Sequence, residues 1–442
     1  MTATLSYWHD SLAPGDDGPS RPPLGGDIDA DVAIVGAGFT GLWTAYYLRR
    51  ADPSLRVVVL ERETAGFGAS GRNGGWCVGD PSGPPSAVER ASGPGSAEAM
   101  ARAMQATVDE VAAVVEREEI DCGWAKGGAL IVARNRGQLA RLRHRQSVAE
   151  RYGYGDASTM LDAEETTAIV RMDGAVGASM TPHAAAVHPA RLARGLACAV
   201  ERHGGVIHEH TRVRSIDDRH VRTDGGTVRA EVVVRATEAY TVSIRGQERA
   251  ILPLANYVVA TEPIDDATWT AIGLAHRELF EIAVNMVAYG QRTADGRIVF
   301  GGLSGPTWWQ SRIPTSPMRD RRVERRLEQT LRQVFPPLRD IRCTHHWGGV
   351  LGVPRDLLPG VGYDRSTGSA WAGGYFGQGV ASANAAGRTL ADLVCDVDSE
   401  MARLPWVGHQ SPPWEPEPLR WLGVHAVAAL AHARDWFDNR RS

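Results

Sequence analysis

Lysine is nearly missing from this chain: Lys126 is the single lysine among 48 basic side chains, and the other 47 are arginines. Basic charge is not in surplus either. The formal net charge of -4 leaves no electrostatic footprint for nucleic acid, so no nucleic-acid partner is expected. Long apolar runs are absent too. The longest late one, Trp421 to Ala433, is too short to cross a bilayer and carries two histidines, so it reads as a packed C-terminal helix and no membrane span is expected. The five cysteines (Cys77, Cys122, Cys198, Cys343 and Cys395) lie 45, 76, 145 and 52 positions apart, which fits neither a disulfide framework nor a zinc knuckle. The first residues show no basic stretch followed by an apolar core, so no secretory signal is expected and a reducing cytoplasm is the simplest home. Internal repeats and low-complexity tracts are absent as well.

What is present is length and apolar content. With 442 residues and 43% hydrophobic side chains, the chain can bury a large core, and its length points to two or three domains. Its most informative stretch is VAIVGAGFTGLWTAYYL, Val32 to Leu48, in which four apolar residues lead into a GxGxxG turn and a helical pattern. Gly36 permits the tight turn, Gly38 a close approach of backbone to a pyrophosphate, and Gly41 the packing of helix on strand. Ala37, Phe39 and Thr40 fill the same turn, whose amides and helix end attract an anion. A second apolar run, LRVVVL, ends at Glu61, twenty residues after Gly41, where a carboxylate can accept the hydroxyls of a ribose. Arg62 follows, but the acidic residue ends the strand, so an unphosphorylated adenosine dinucleotide is read. The turn alone leaves NAD and FAD open.

Residues 9–29, rich in Pro, Gly and Asp, read as an irregular leader. A Pro/Gly/Ser stretch from Ser82 to Gly95 then separates the first βαβ unit from a helical pattern, Ala97 to Glu118, and a strand, Gly127 to Ala133. Val206 to Ile216 and Val228 to Thr237 read as strands, the second nearly continuous in apolar residues and so buried. Alternating segments follow from Ala255 to Ile264, through ELFEIAVNMVAYGQ, to DGRIVFGG, and indicate an antiparallel sheet of another kind. Ser369 to Cys395 returns to the pattern of the first unit, with a strand, a glycine turn and a small-residue helix in succession. The reading is therefore an α/β chain with a discontinuous Rossmann-like dinucleotide domain (25–82, 185–248 and 343–442) and a mixed or antiparallel-sheet substrate domain (83–184 and 249–342). Such a split is common in flavin enzymes.

The segments VGAGFTG, LERETAGFGASGRNGGW, VVVRATEAY, HHWGGVLGVPRDLLPGVG and GGYFGQGVASANAAGRTLADL together resemble the D-amino-acid oxidase, glycine oxidase and sarcosine oxidase family of FAD-dependent oxidoreductases, and within it the γ-glutamylputrescine oxidase-like branch. The resemblance runs in order from about residue 28 to 400. It implies FAD as the cofactor, oxidation of a carbon–nitrogen bond of a primary or secondary amine by hydride transfer, and oxygen or another electron acceptor to complete the cycle. The loop Phe67 to Gly75 offers Ala69, Ser70, Arg72, Asn73, Gly74 and Gly75 to pyrophosphate and flavin. Arg212 and Val213 resemble the strand that presents backbone to adenine. Ala236 and Thr237 resemble the alanine–threonine turn, although Glu238 stands where glycine or asparagine is usual; Gly349 lies in the fourth matching segment. Gly377, Gln378, Gly379 and Val380 open the last helix, whose positive end would stabilise charge gained by a flavin.

Departures from the family bear on the substrate. Lys126 precedes the strand GGALIVA and reads as a surface lysine, not an oxygen-assisting one. Ala381 occupies the usual basic clamp position, and Gly75 and Trp76 stand where arginine is expected, which argues against a small amino acid held by its carboxylate. Aromatic side chains are the other pocket material: Trp76, Tyr257, Trp347 and Phe376 are expected to wall the substrate, with Tyr375 beside them. Tyr289, His346 and Gln378 are the candidates to act at the reacting centre; His345 and His346 are the best placed titratable groups. His203, His208 and His210 read as solvated, and no metal site is expected. Cys343 lies four residues before Trp347, too early for a covalent flavin link, so FAD is expected to be non-covalent. A flavin monooxygenase, or another FAD oxidoreductase acting on a larger natural product, is the alternative; the Gly-Asp pair usual in monooxygenases is missing from AGGYFGQG.

Overall fold

The computed structural model describes residues 5–16, 18–217, 219–284, 288–303, 308–314 and 318–440, and the side chains among them except those of 303 and 431–440. Part of the segment ELFEIAVNMVAYGQ, residues 285–287, lies outside this description.

The apolar run before the glycine turn is the strand Ile28–Val35, whose last four residues are all buried. A strand covered on both faces must be apolar at every position, as its parallel neighbours Val57–Leu60 and Thr227–Arg235 also are near their C-terminal ends. The first sheet runs in the order Gly360–Asp364, Ser369–Gly373, Thr227–Arg235, Ile28–Val35, Val57–Leu60 and Val206–His208, with the hairpin of Val213–Asp217 and His220–Thr223 beside Thr227–Arg235. Ser369–Trp371 pairs in parallel with Val233–Arg235, which brings the late glycine loop to the same sheet edge as the early turn. The helix Gly379–Val394 then packs on the helix Phe39–Ala51, with Gly387 against the Cβ of Trp43, where a methyl group would come within 2.6 Å of it.

The second sheet has the order Cys343–Val353, Leu252–Thr261, Ile298–Leu303, Ala288–Arg292, Leu279–Ile282, Ala129–Ala133, Gly177–Thr181 and Thr159–Leu161. It is mixed: Leu279–Ile282 runs parallel to Ala129–Ala133 and the other pairings are antiparallel. A short ribbon, Trp76–Val78 with Ala184–Ala186, adjoins it.

Three expectations shift. Cys343–Val353, assigned by sequence to the dinucleotide segment, pairs along its length with Leu252–Thr261 of the second sheet. The helix Ser96–Arg117, assigned to the substrate domain, buries Met100, Met104, Val108 and Val111 in the core of the first unit, because that spacing forms one apolar helical face. The late helix Leu419–Arg440 is not packed as expected: Leu422 is 54% exposed and Val427 68%. Conversely, the irregular leader is tied down, by Arg21 to Glu201 at 2.8 Å and by the Leu24 amide to Thr211 Oγ1 at 3.0 Å. No helix among the described residues is long and apolar enough to cross a membrane.

Candidate active site

A cavity of about 580 Å³ opens where the two sheets meet. Gly36, Gly38, Phe39 and Thr40 line it from the early turn, and Gly377, Gln378, Gly379 and Val380 from the late one. Gly36 holds φ at +104°, a left-handed conformation that costs glycine little, and a Cβ there would lie 2.7 Å from the Ala236 carbonyl. Ala37 and Gly41 do not line the cavity. Ala37 is buried and its amide donates to Glu61 Oε2 at 2.8 Å, while any Cβ on Gly41 would collide with the Gly36 carbonyl. Glu61 closes the turn from below: its other oxygen accepts from the Glu63 amide at 2.9 Å. Burial pushes its carboxyl above the ordinary range, and the two amides oppose that shift.

The single strand read from Val206 to Ile216 is broken. His210 adopts φ +51°, its amide donates to the Glu63 carbonyl and the Thr211 amide donates to the Glu61 carbonyl, so Thr211, Arg212 and Val213 turn onto the cavity wall. Arg62 lines the same end, with its guanidinium 5.6 Å from the Tyr240 ring. Ala236, Thr237 and Glu238 face them. Glu238, the departure from the family pattern, sits at φ +44° with Oε1 accepting from the Gly374 and Tyr375 amides at 3.2 and 3.3 Å. Burial raises its carboxyl to about 7, and Oε2 has no partner among the described residues.

The glycine-rich loop after Phe67 is gripped from several sides. Ser70 Oγ accepts from the Phe39 amide at 2.9 Å, joining the loop to the helix Phe39–Ala51. The indoles of Trp8 and Trp347 each donate at 2.8 Å, to the Asn73 and Arg72 carbonyls, and the Ser6 hydroxyl donates to Gly71 O at 3.1 Å. Gln291 Nε2 donates to the Gly74, Gly75 and Val187 carbonyls. Ala69, Ser70, Arg72, Asn73 and Gly74 line the cavity; Gly75 does not, because it backs onto Gln291 and the Val187 carbonyl. Arg72 is 5% exposed and its guanidinium lies 4.2 Å from the Phe67 ring centre, and its Nε has no hydrogen-bond partner among the described residues. No carboxylate among the described residues comes within ion-pair distance of it, and burial lowers its pKa. A buried, unpaired cation facing a cavity that also receives a helix N-terminus fits an anionic group such as a pyrophosphate.

At the other end, Trp76 and Tyr289 meet edge to face at 5.6 Å, and Tyr289 accepts from Asn256 Nδ2 at 2.6 Å. Burial drives the Tyr289 hydroxyl up to about 12, so it is protonated at neutral pH. Phe376, Gly349 and Glu281 also line the cavity.

Tyr257, His346 and Trp347 also lie off the cavity, the first two because of strand parity. On the paired strands Leu252–Thr261 and Cys343–Val353, Asn256 faces Gly349 and Val258 faces Trp347, whereas Tyr257 faces Gly348 and Val259 faces His346. Side chains alternate, so Asn256 and Gly349 reach the cavity while Tyr257 and His346 point to the helix Arg321–Val334. His346 Nε2 lies 2.7 Å from Glu328 Oε1 of that helix. Trp347 shares the cavity-side face but is buried between Trp8 and Val258, so it positions the loop and does not wall the pocket. His345 lies at the edge of the Tyr7 ring, 3.5 Å from Asp10. Lys126 is exposed and paired with Asp109. His203 is paired with Glu118 at 3.0 Å and His208 with the Pro22 carbonyl, not simply solvated. Asn256, Gln291, Glu281 and Arg145 are the lining or loop-holding residues that sequence reasoning missed.

The comparisons with known proteins agree with this geometry. The chain belongs to the family of FAD-dependent oxidoreductases, whose model matches residues 31–393. It is 32% identical over 376 residues to gamma-glutamylputrescine oxidoreductase of Escherichia coli (strain K12), covering 84% of this chain and 85% of that one. It is 27% identical over 392 residues to a probable oxidoreductase, OrdL, of Haemophilus influenzae, covering 86% of each. Among solved structures it is similar in fold to glycine oxidase from Geobacillus kaustophilus, with a TM-score of 0.71, 21% identity, and 86% and 99% of the two chains covered. L-proline dehydrogenase from P. horikoshii matches with a TM-score of 0.68 at 19% identity, over 86% and 96%. The protein is an FAD-dependent oxidoreductase.

Proposed function

We propose that this protein oxidises a carbon–nitrogen bond of a primary or secondary amine to an imine, with FAD held non-covalently across the cavity. The observation that carries this reading is the convergence of the early turn, the buried unpaired Arg72 and the late glycine loop on one cavity that ends in an aromatic wall. When bound, FAD supplies a two-electron acceptor for the substrate carbon. The chain supplies the rest. Gly36, Gly38, Phe39 and Thr40 present backbone and a helix end to the pyrophosphate, and Arg72 adds the positive charge. Glu61, Arg212, Val213, Ala236 and Thr237 form the adenosine end. Gln378 stands at the start of the helix Gly379–Val394 with its side chain not bonded to the helix amides, and the helix's positive end favours negative charge gathering at the ring. Tyr289, held by Asn256, and Trp76 shape the pocket and exclude water from the reacting carbon.

The relative named for gamma-glutamylputrescine supports an amine substrate, and Ala381 in place of a basic clamp supports one not held by a carboxylate beside the flavin. Cys343 is outside the cavity wall, at the start of its strand, with its thiol pushed up to about 12 by burial, which supports a dissociable cofactor. The test is anaerobic: amines from a broad panel are mixed with the flavin-loaded protein and the yellow absorbance is followed. Bleaching by an amine, with peroxide or reduced dye formed on adding an acceptor, is the expected result. If no amine bleaches the flavin, the oxidation reading falls.

A further inference from the structure

The carboxylate of Glu281 has no role in the site described so far. It lies on the strand Leu279–Ile282, directly opposite Tyr289 in the antiparallel register, and both line the cavity. The neighbouring Phe280 points the other way, into the core of the second sheet, so the alternation fixes Glu281 on the cavity face. Glu281 makes no hydrogen bond or ion pair with any described residue, although Arg145 stands on the same cavity wall and is exposed. Beside it, the Trp76 and Tyr289 rings meet edge to face, and the Trp76 indole nitrogen is buried without a partner among the described residues.

We propose that Glu281, Tyr289 and Trp76 form a subsite for positive charge on the substrate, which selects alkylammonium compounds over uncharged molecules of the same shape. This rests on the amine-oxidation reading for its biological sense, though not for its test. An anion alone in a half-buried pocket is costly, and aromatic faces add attraction for a cation that a neutral group does not feel. Burial raises the Glu281 carboxyl to about 7, with Asp80 pushing in the same direction and Arg145 opposing, and a cation bound beside it would favour the charged form. The Tyr289 hydroxyl, held by Asn256 over Gly301, stays neutral.

The experiment reads binding without turnover. Flavin-loaded protein is titrated with choline, whose quaternary nitrogen has no lone pair for amine oxidation, and with its uncharged isostere 3,3-dimethyl-1-butanol, and the flavin difference spectrum is recorded. Wild-type protein is expected to bind choline roughly tenfold tighter than the alcohol, and Glu281→Gln to lose that preference while its affinity for the alcohol is unchanged. Equal affinity of the wild type for the two, no spectral response to choline, or equal weakening of both by Glu281→Gln overturns the proposal. Failure of amines to bleach the flavin would sink the oxidation reading alone and leave this result standing.

Discussion

The Tyr375 hydroxyl lies 3.0 Å from Thr40 Oγ1, a single hydrogen bond that joins the late glycine loop to the first turn of the helix Phe39–Ala51. The Ser82 hydroxyl holds the carbonyl of the same tyrosine at 2.6 Å, and Glu238 holds its amide, so three distant segments converge on one residue. Removing the hydroxyl with Tyr375→Phe leaves the ring packed and Thr40 with one partner fewer. FAD retention is expected to weaken about fivefold, near ~1 kcal/mol, as measured by titrating apoprotein with FAD.

Arg72 gives a prediction of two signs. A buried cation without an anionic partner is a burden on the empty protein and an asset once an anion arrives. Arg72→Met keeps a side chain over the Phe67 ring. The apoprotein is expected to melt at a higher temperature than wild type, while FAD affinity falls by at least about tenfold. Lower thermal stability with unchanged FAD affinity would contradict this role.

Glu238 sets a pH dependence. Its carboxyl rises from 4.5 to about 7 on folding because of burial. The folded form therefore holds the proton more tightly than the unfolded chain, so the group supports the fold below about pH 4.5 and that support is withdrawn as the pH climbs to about 7. Glu238→Gln removes this titration. The variant's stability relative to wild type is expected to grow between those values, by up to about 3 kcal/mol, and to level off above them in denaturant titrations.

His346 tests the side of the sheet. Paired with Glu328 away from the cavity, it is expected to have no part in turnover. His346→Gln should leave kcat within about twofold of wild type and lower stability by no more than about 1 kcal/mol, since the pair is only partly buried. A large fall in kcat with unchanged KM would return it to the site.

Much of the site was legible because glycine has few reasons to recur in a fixed pattern. The spacing of Gly36, Gly38 and Gly41 at the start of a helix, and the return of a glycine turn before a helix at Gly377, marked two turns that converge on the cavity. Parity along strands was not legible. Leu252–Thr261 is buried almost throughout, so nothing in its composition says which of Asn256 and Tyr257 turns inward; only its register with Cys343–Val353 decides. The same ambiguity misplaced His346. Glu281 gave a faint signal, a lone acid in an apolar strand, and the role of Trp8 gave none, because its partner carbonyl is 65 residues away. The helix Ser96–Arg117 shows an apolar face, but a face does not name the unit it covers.

The parallel pairing of Ser369–Trp371 with Val233–Arg235 has a consequence for biosynthesis. A nascent polypeptide from which Ser369–Gly373 has not yet emerged carries Val233–Arg235 without a neighbour on that side and lacks the helix that faces Trp43. Such contacts between distant stretches form slowly. The cavity wall made by Gly377, Gln378, Gly379 and Val380 is therefore completed only once that late segment has joined the sheet.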